Sequence, residues 1–275
     1  MQPLRHFLLA VQFFSRIPVT GRLAAWVGWS PELQRASAAH LPGVGWLVGL
    51  WAALLLGAFL WLLPTTAWTP LLAALLSTAG TVWLTGGFHE DGLADVADGL
   101  GGQVLPARAL EIMKDSRMGA YGVMALLMAL LTKLVLIALL FAAMQPFWGP
   151  VPVLVLLCCT HVLSRFAPLL LMRSLPHVGL AASSKTLHVA GQQMGWPGLL
   201  TGALWCLPAL ALLTWLGTYT LVLGMVAAMA ITTWLLLRWF HHRLGGMTGD
   251  CLGACQQLNE LALLLAAAIH LRQLL

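Results

Sequence analysis

The chain has 275 residues, 60% of them hydrophobic and only 8% charged, with a mean hydropathy of +0.88, whereas about a quarter of a soluble domain is charged. That composition excludes an ordinary soluble domain and describes an integral membrane protein. The net charge of +5 suits anionic lipid or an anionic substrate, but it is too modest for a nucleic-acid surface, and no nucleic-acid partner is expected.

The N-terminal stretch MQPLRHFLLAVQFFSRIPVTGR carries one early charge and a short apolar run, which Arg16 and Pro18 end too soon for a span. It reads as an amphipathic segment lying at the interface or a short embedded helix. Apolar runs long enough to cross about 30 Å of hydrocarbon follow near 41–63, 68–85, 119–143, 151–172, 197–216, 219–238 and 256–272. The fold class expected is therefore all-α, a polytopic bundle of about seven transmembrane helices forming one integral membrane domain over 1–275. Residues 186–237 hold no Asp, Glu, Lys or Arg, as a membrane-embedded pair of helices requires. The short uncharged connections PTTAWTP (64–70), MQPFWGP (144–150) and LGTY (216–219) read as turns at one interface.

The charged connections lie on the other side. This scheme collects Arg5, Arg16, Arg22, Arg35, Arg108, Lys114, Arg117, Arg173, Lys185, Arg238 and Arg243 on one face, which the positive-inside rule makes cytoplasmic. Arg272 falls outside that set, and Lys133 and Arg165 fall within spans. Lys133 can snorkel or pair, and Arg165, one turn after His161, calls for a buried partner or a substrate phosphate. The five cysteines include the adjacent Cys158 and Cys159 and the pair Cys251 and Cys255; they form neither a disulfide framework nor a zinc spacing and read as small apolar fillers. GVGWLVG at 43–49 offers Gly45 and Gly49 for close packing, within the chain or in a homo-oligomer.

Eight of the nine acids fall in three short segments. The first, GGFHEDGLADVADGLGG (86–102), places Asp91, Asp95 and Asp98 at i, i+4, i+7, on one face if the segment is helical. Like charges so arranged repel, and a cation would offset that cost. Carboxylate oxygens without a convergent His/Cys set suit Mg²⁺ or Mn²⁺ better than zinc. The bland alternative is a solvated polar loop. His89 is open between a structural hydrogen bond, substrate contact or proton handling, and metal ligation. In the second segment, EIMKDSRMGAYG (111–122), the pair Glu111 and Asp115 is interleaved with Lys114 and Arg117, which could clamp phosphate oxygens; a salt-bridged border helix is the alternative. The third, RWFHHRLGGMTGDCLGACQQLNE (238–260), returns Arg238, Arg243, Asp250 and Glu260 to the same side. Asp250 either caps a helix or completes the site. SSK at 183–185 makes Lys185 a weak phosphate contact, and no Walker lysine motif exists, which disfavours an ATP-hydrolysing transporter.

Acidic metal ligands, basic neighbours and a membrane setting point to transfer at phosphorus. A polyprenyl transferase or a divalent-metal transporter would share those features. The ordered set GGFHEDGLADVADGLGG, EIMKDSRMGAYG and LGGMTGDCLGA closely resembles the adenosylcobinamide-GDP ribazoletransferase family, also called cobalamin (5'-phosphate) synthase, and FFSRIPV is similar to that family's FLTRIPV. DGLAD followed by an acidic pair is also similar to the broader CDP-alcohol phosphotransferase pattern, but Asp95 stands where that pattern's AR begins, and Glu111 precedes Asp115. The resemblance implies an enzyme of the bacterial inner membrane, working on the cytoplasmic side. It would join adenosylcobinamide-GDP to α-ribazole or α-ribazole 5'-phosphate with Mg²⁺ and release GMP. On this reading Asp91, Asp95, Asp98, Glu111 and Asp115 position metal, and Lys114, Arg117, Arg243, Asp250, Arg165 and Lys185 contact substrate. Asp91, Asp95 or His89 takes part in catalysis.

Overall fold

The computed structural model of the chain describes residues 2–179, 193–217 and 219–272. The described chain is helical apart from short connections, and its only extended pairing is one bridge between His177 and Met247. Three short helices come first: α1 (Gln2–Phe14), α2 (Gly21–Val27) and α3 (Pro31–Ser37). Longer ones follow: α4 (Leu41–Leu62), α5 (Thr69–Thr85), α6 (Phe88–Gly101), the short α7 (Pro106–Ile112), α8 (Ala120–Trp148), α9 (Val151–Ser164) and α10 (Ala167–Ser174). The last three are α11 (Trp196–Leu216), α12 (Tyr219–Leu244) and α13 (Gly249–Leu271).

Among the described residues six helical stretches are long and apolar enough to cross a membrane, and a seventh is gained if the bent pair α5–α6 counts as one. The expected polytopic α-helical bundle is what forms. Two boundaries differ from the apolar runs. The last span begins at Gly249 rather than near 256, because Thr248 caps it by accepting a hydrogen bond from the Cys251 amide at 3.3 Å and so draws the polar residues 249–260 into the helix. At α5 the helix has 17 residues, about 25 Å at 1.5 Å per residue, and then turns by 90° into α6.

Gly86 and Gly87 make that turn. Both are left-handed, with φ of 74° and 72°, a conformation that costs a residue with Cβ on the order of 1 kcal/mol or more. Their amides close the end of α5 onto the carbonyls of Trp83 and Val82. The Asp91 amide then bonds the Gly87 carbonyl at 2.8 Å, so the acidic helix starts at once in its new direction.

The core has two layers. One buries Leu9, Phe14, Val44, Leu93, Leu100, Leu171 and Phe240, from α1, α4, α6, α10 and α12, at the end where the charged connections lie. The other buries Leu56, Ala73, Ile137, Leu157, Leu213 and Leu264 deeper in the bundle. The N-terminal helix buries Leu9, Ala10, Val11 and Phe14 against α3 and α4, which fits a short embedded helix. At the far end Trp61, Trp68, Phe147, Trp148, Trp215 and Tyr219 are exposed, the belt expected where helices reverse at a lipid interface. Gly45 and Gly49 face α9, where a Cβ would lie 2.7 Å from the His161 carbonyl oxygen and 2.6 Å from that of Cys158. These glycines thus serve packing inside the chain. All five cysteines are buried free thiols.

Candidate active site

The acidic helix α6 is held against the start of α13 by two glycines. A Cβ on Gly92 would lie 2.8 Å from the Asp250 carbonyl oxygen, and one on Gly253 would lie 3.1 Å from that of His89. Only backbone-to-backbone contact allows this approach, and it brings Asp250 to the face of α6 that carries Asp91 and Asp95. Asp91 is exposed and Asp95 half-buried. Asp95 lies within electrostatic range of Asp91, Asp98 and Asp250, with Lys114 as the one cation in that set. Two helices and one loop, far apart in sequence, thus build a single acidic face with one lysine over it.

The other acids have partners of their own. Asp98 accepts the amides of Gly119 at 2.7 Å and Gly122 at 2.8 Å. Its carboxylate thereby caps α8 from a neighbouring helix, and a Cβ on either glycine would lie within about 2.4 Å of that carboxylate. Glu111 pairs with Arg108 at 2.8 Å on an exposed surface. Asp115 is gripped by the Arg117 guanidinium, with contacts at 2.9, 3.1 and 2.5 Å, and these hydrogen bonds hold its carboxyl down at about 2. Arg117 therefore turns to Asp115, and Lys114 alone of the two faces the acidic set. Arg243 donates to the carbonyls of Leu100 at 2.8 Å and Gly102 at 2.7 Å, so it closes the C-terminal end of α6. Thr248 is the N-cap of α13; Asp250 sits in its first turn and accepts from the Thr248 hydroxyl at 3.2 Å. Lys185 lies outside the described residues.

His89 points the other way. It is 3% exposed and sits in electrostatic range of Arg165, Glu260, His161 and Lys133, deep in the bundle. There Lys133 of α8 meets Glu260 of α13 at 2.5 Å. Gln256 donates to Glu260 at 2.7 Å and to Ser164 at 3.0 Å, while Gln257 donates to Glu90 and to Gln256, both at 3.0 Å. Arg165 donates to the His161 carbonyl at 2.9 Å. Two cations and two carboxylates thus balance in a buried network joining α6, α8, α9 and α13. Glu260, grouped by sequence with the surface cluster of Arg238, Arg243 and Asp250, lies in this interior because the helix it occupies starts at Gly249.

One residue of the site had no signal in the sequence. His177 follows α10 in the loop paired with Met247: the Val178 amide donates to the Met247 carbonyl and the Met247 amide to that of Pro176, each at 2.9 Å. This pairing sets His177 in electrostatic range of Lys114 and Asp250. Burial, and then the nearby Lys114 charge, hold its imidazole below the usual histidine range, against the pull of Asp250. Its Nε2 is buried without a hydrogen-bond partner. An isolated histidine in SLPHVG carries no motif, so only the pairing with the 245–248 segment reveals it.

A family profile described as cobalamin-5-phosphate synthase matches residues 6–268. The chain belongs to that family. Relatives named adenosylcobinamide-GDP ribazoletransferase include one from Polaromonas naphthalenivorans, 52% identical over 98% of this chain and 100% of its own length. Another, from Albidiferax ferrireducens, is 51% identical over 98% and 99%, and one from Leptothrix cholodnii is 44% identical over 94% and 92%. No solved structure matches. The similarity spans all three acidic segments, which is the ordered set that carried the resemblance.

Proposed function

We infer that the chain joins adenosylcobinamide-GDP to α-ribazole or α-ribazole 5'-phosphate, releasing GMP, in cobalamin biosynthesis. Full-length similarity to relatives bearing that name supports the reading. The observation that carries the site is the convergence of Asp91, Asp95 and Asp250 beneath Lys114. The ribazole 3'-hydroxyl oxygen attacks the cobinamide-side phosphorus, the bond from that phosphorus to the bridging oxygen breaks, and GMP leaves carrying the bridging oxygen.

Lys114 binds a non-bridging pyrophosphate oxygen and offsets part of the charge there. His177, with its proton affinity lowered, accepts the hydroxyl proton, and Asp250 steadies the imidazolium that results. Magnesium, or manganese in its place, fits the oxygen-donor chemistry of Asp91, Asp95 and Asp250. Among the described residues no three His, Cys, Asp or Glu side chains are gathered tightly enough to hold a metal by themselves, so substrate phosphates would have to complete the coordination of an ion there. When bound, it supplies charge neutralisation of the pyrophosphate. Asp98, Glu111 and Asp115 keep the local partners described above.

The acidic face lies at the end of the bundle that carries Arg5, Arg16, Arg35, Arg108, Arg173 and Arg243, so the site faces the cytoplasm of a bacterial inner membrane by the positive-inside rule. Both substrates are charged and suit that side. Purified protein given adenosylcobinamide-GDP and α-ribazole should release GMP, and Asp95→Asn should reduce that release at least 100-fold while leaving the protein folded. His177→Gln should lower turnover and remove the acidic limb of its pH profile. Normal turnover in Asp95→Asn at limiting Mg²⁺ would remove Asp95 from the site.

A further inference from the structure

The cytoplasmic end of the bundle contains a second concavity, apart from the acidic face. It has a volume of about 400 Å³ and is built by α1, α3, the turn leading into α4, the end of α10 and the start of α11. Among the described residues its ionisable lining consists of Arg35, His6 and His40, with no Asp or Glu. Ala39, Met172 and Met194, all buried, give it an apolar wall.

Its polar groups are set in place by the fold. The indole N–H of Trp205 donates to His40 Nδ1 at 3.1 Å. An indole can only donate, so the His40 proton resides on Nε2 and that nitrogen is a hydrogen-bond donor. His40 is 6% exposed, and the His6 ring stands 6.1 Å from it, centre to centre. Arg35 is half-buried and touches Glu32 at 3.3 Å. Glu32 lies on the open surface, with 72% of its side chain exposed, so solvent screens this pair and leaves the guanidinium free to turn towards a stronger anion. Met172 lines both this cavity and the narrow crevice floored by Phe88, His89 and Gly249. The cavity thus shares one side chain with a crevice formed in part by the first residues of α6 and α13, the two helices that also carry the acids.

We propose that this cavity binds the 5'-phosphate and part of the ring system of α-ribazole 5'-phosphate, with Arg35, His6 and His40 as the groups that select the phosphorylated acceptor. The inference rests on the reaction proposed above. That reaction brings two highly charged phosphate groups together. The pyrophosphate belongs with the carboxylates, Lys114 and the metal, and a second dianion beside those carboxylates would be repelled. A recess apart from those carboxylates, with an arginine and two histidines in its lining, is where it can sit. About 400 Å³ is near the lower end of small-molecule sites, suited to a mononucleotide-sized acceptor and too small for a corrinoid. The buried methionines offer polarizable contacts to a planar heterocycle.

Michaelis constants for α-ribazole 5'-phosphate, α-ribazole and adenosylcobinamide-GDP, compared in the wild type, Arg35→Gln and His6→Gln, test this. The constant for the phosphorylated acceptor should rise about tenfold or more in Arg35→Gln, as loss of a charge-assisted contact requires, and by less in His6→Gln. Those for α-ribazole and adenosylcobinamide-GDP should stay within about twofold. A parallel rise for both acceptors, a rise for adenosylcobinamide-GDP, or no change for any of the three overturns the proposal. Calorimetric binding of α-ribazole 5'-phosphate to the full-length protein in detergent separates this inference from the reaction. If the wild type releases no GMP yet binds the phosphorylated acceptor and Arg35→Gln does not, the reaction reading fails and the subsite stands. Equal affinity in both proteins sinks the subsite whatever the activity.

Discussion

Two charged regions of this molecule obey opposite rules. Inside the bundle Lys133, Arg165, Glu90 and Glu260 are all at most 8% exposed; Gln256 and Gln257 tie Glu90 to Glu260 and its partner Lys133, and Arg165 bonds His161 beside Glu260. On the surface between α6 and α8, Arg108–Glu111 and Arg117–Asp115 make similarly short contacts with both arginines largely in solvent. Contact distance is thus a poor guide to energetic weight. In the interior, desolvation makes each charge depend on its partner, whereas at the surface water replaces a lost partner at little cost. The acidic face lies between these extremes, with Asp91 exposed, Asp95 half-buried and Lys114 the one cation beside them.

The largest effect should come from breaking the interior pair. Lys133→Met or Glu260→Met alone strands a buried charge and should cost about 3–5 kcal/mol, read as a large fall in the detergent unfolding temperature. The double Met variant should recover most of it. If each single change were as mild as the double, the interior charges would be solvated and the contrast would collapse. Next comes Asp98→Ala, which removes the two amide contacts that start α8; charge-assisted bonds of this kind contribute about 1.5–3 kcal/mol. GMP release should fall with stability, because the loop carrying Lys114 is tied down at that point. A variant that lost metal response with unchanged stability would instead make Asp98 a ligand.

Smaller still, Glu111→Gln should change stability by no more than about 1 kcal/mol, since its partner Arg108 is 65% exposed. Asp115 sharpens the contrast by pH. Its native value of about 2 lies below its ordinary 3.8, so any stability it supplies is complete above 3.8 and disappears as the pH falls towards 2. Unfolding followed from pH 5 to pH 8 should therefore show no step that Asp115→Asn removes, and a step there would reveal a coupling that the exposed pair does not show.

Much of this was legible in the residue order. The span-length apolar runs, the one-sided basic residues and the ordered acidic segments lead to the polytopic bundle and the family, because hydrophobic thickness and charge placement act residue by residue. Periodicity also put Asp91, Asp95 and Asp98 on one helix. It could not divide their work, since Asp98 is claimed by the amides of Gly119 and Gly122. Nor could it tell that Glu111 and Asp115 would turn to Arg108 and Arg117 in place of α6.

What the sequence determined by itself was the membrane class, the helices and the acidic character of three short segments, all of which follow from composition and from neighbours a few residues apart. Tertiary structure alone decided which charges meet. Asp250 joins Asp91 and Asp95 because Gly92 and Gly253 let two backbones touch, and His177 reaches Lys114 through a two-residue pairing with the 245–248 segment. Glu260 enters the interior because Thr248 starts its helix early. Helical spacing reports neighbours within a turn or two, whereas these contacts join residues far apart in the chain and depend on backbone approach, caps and burial.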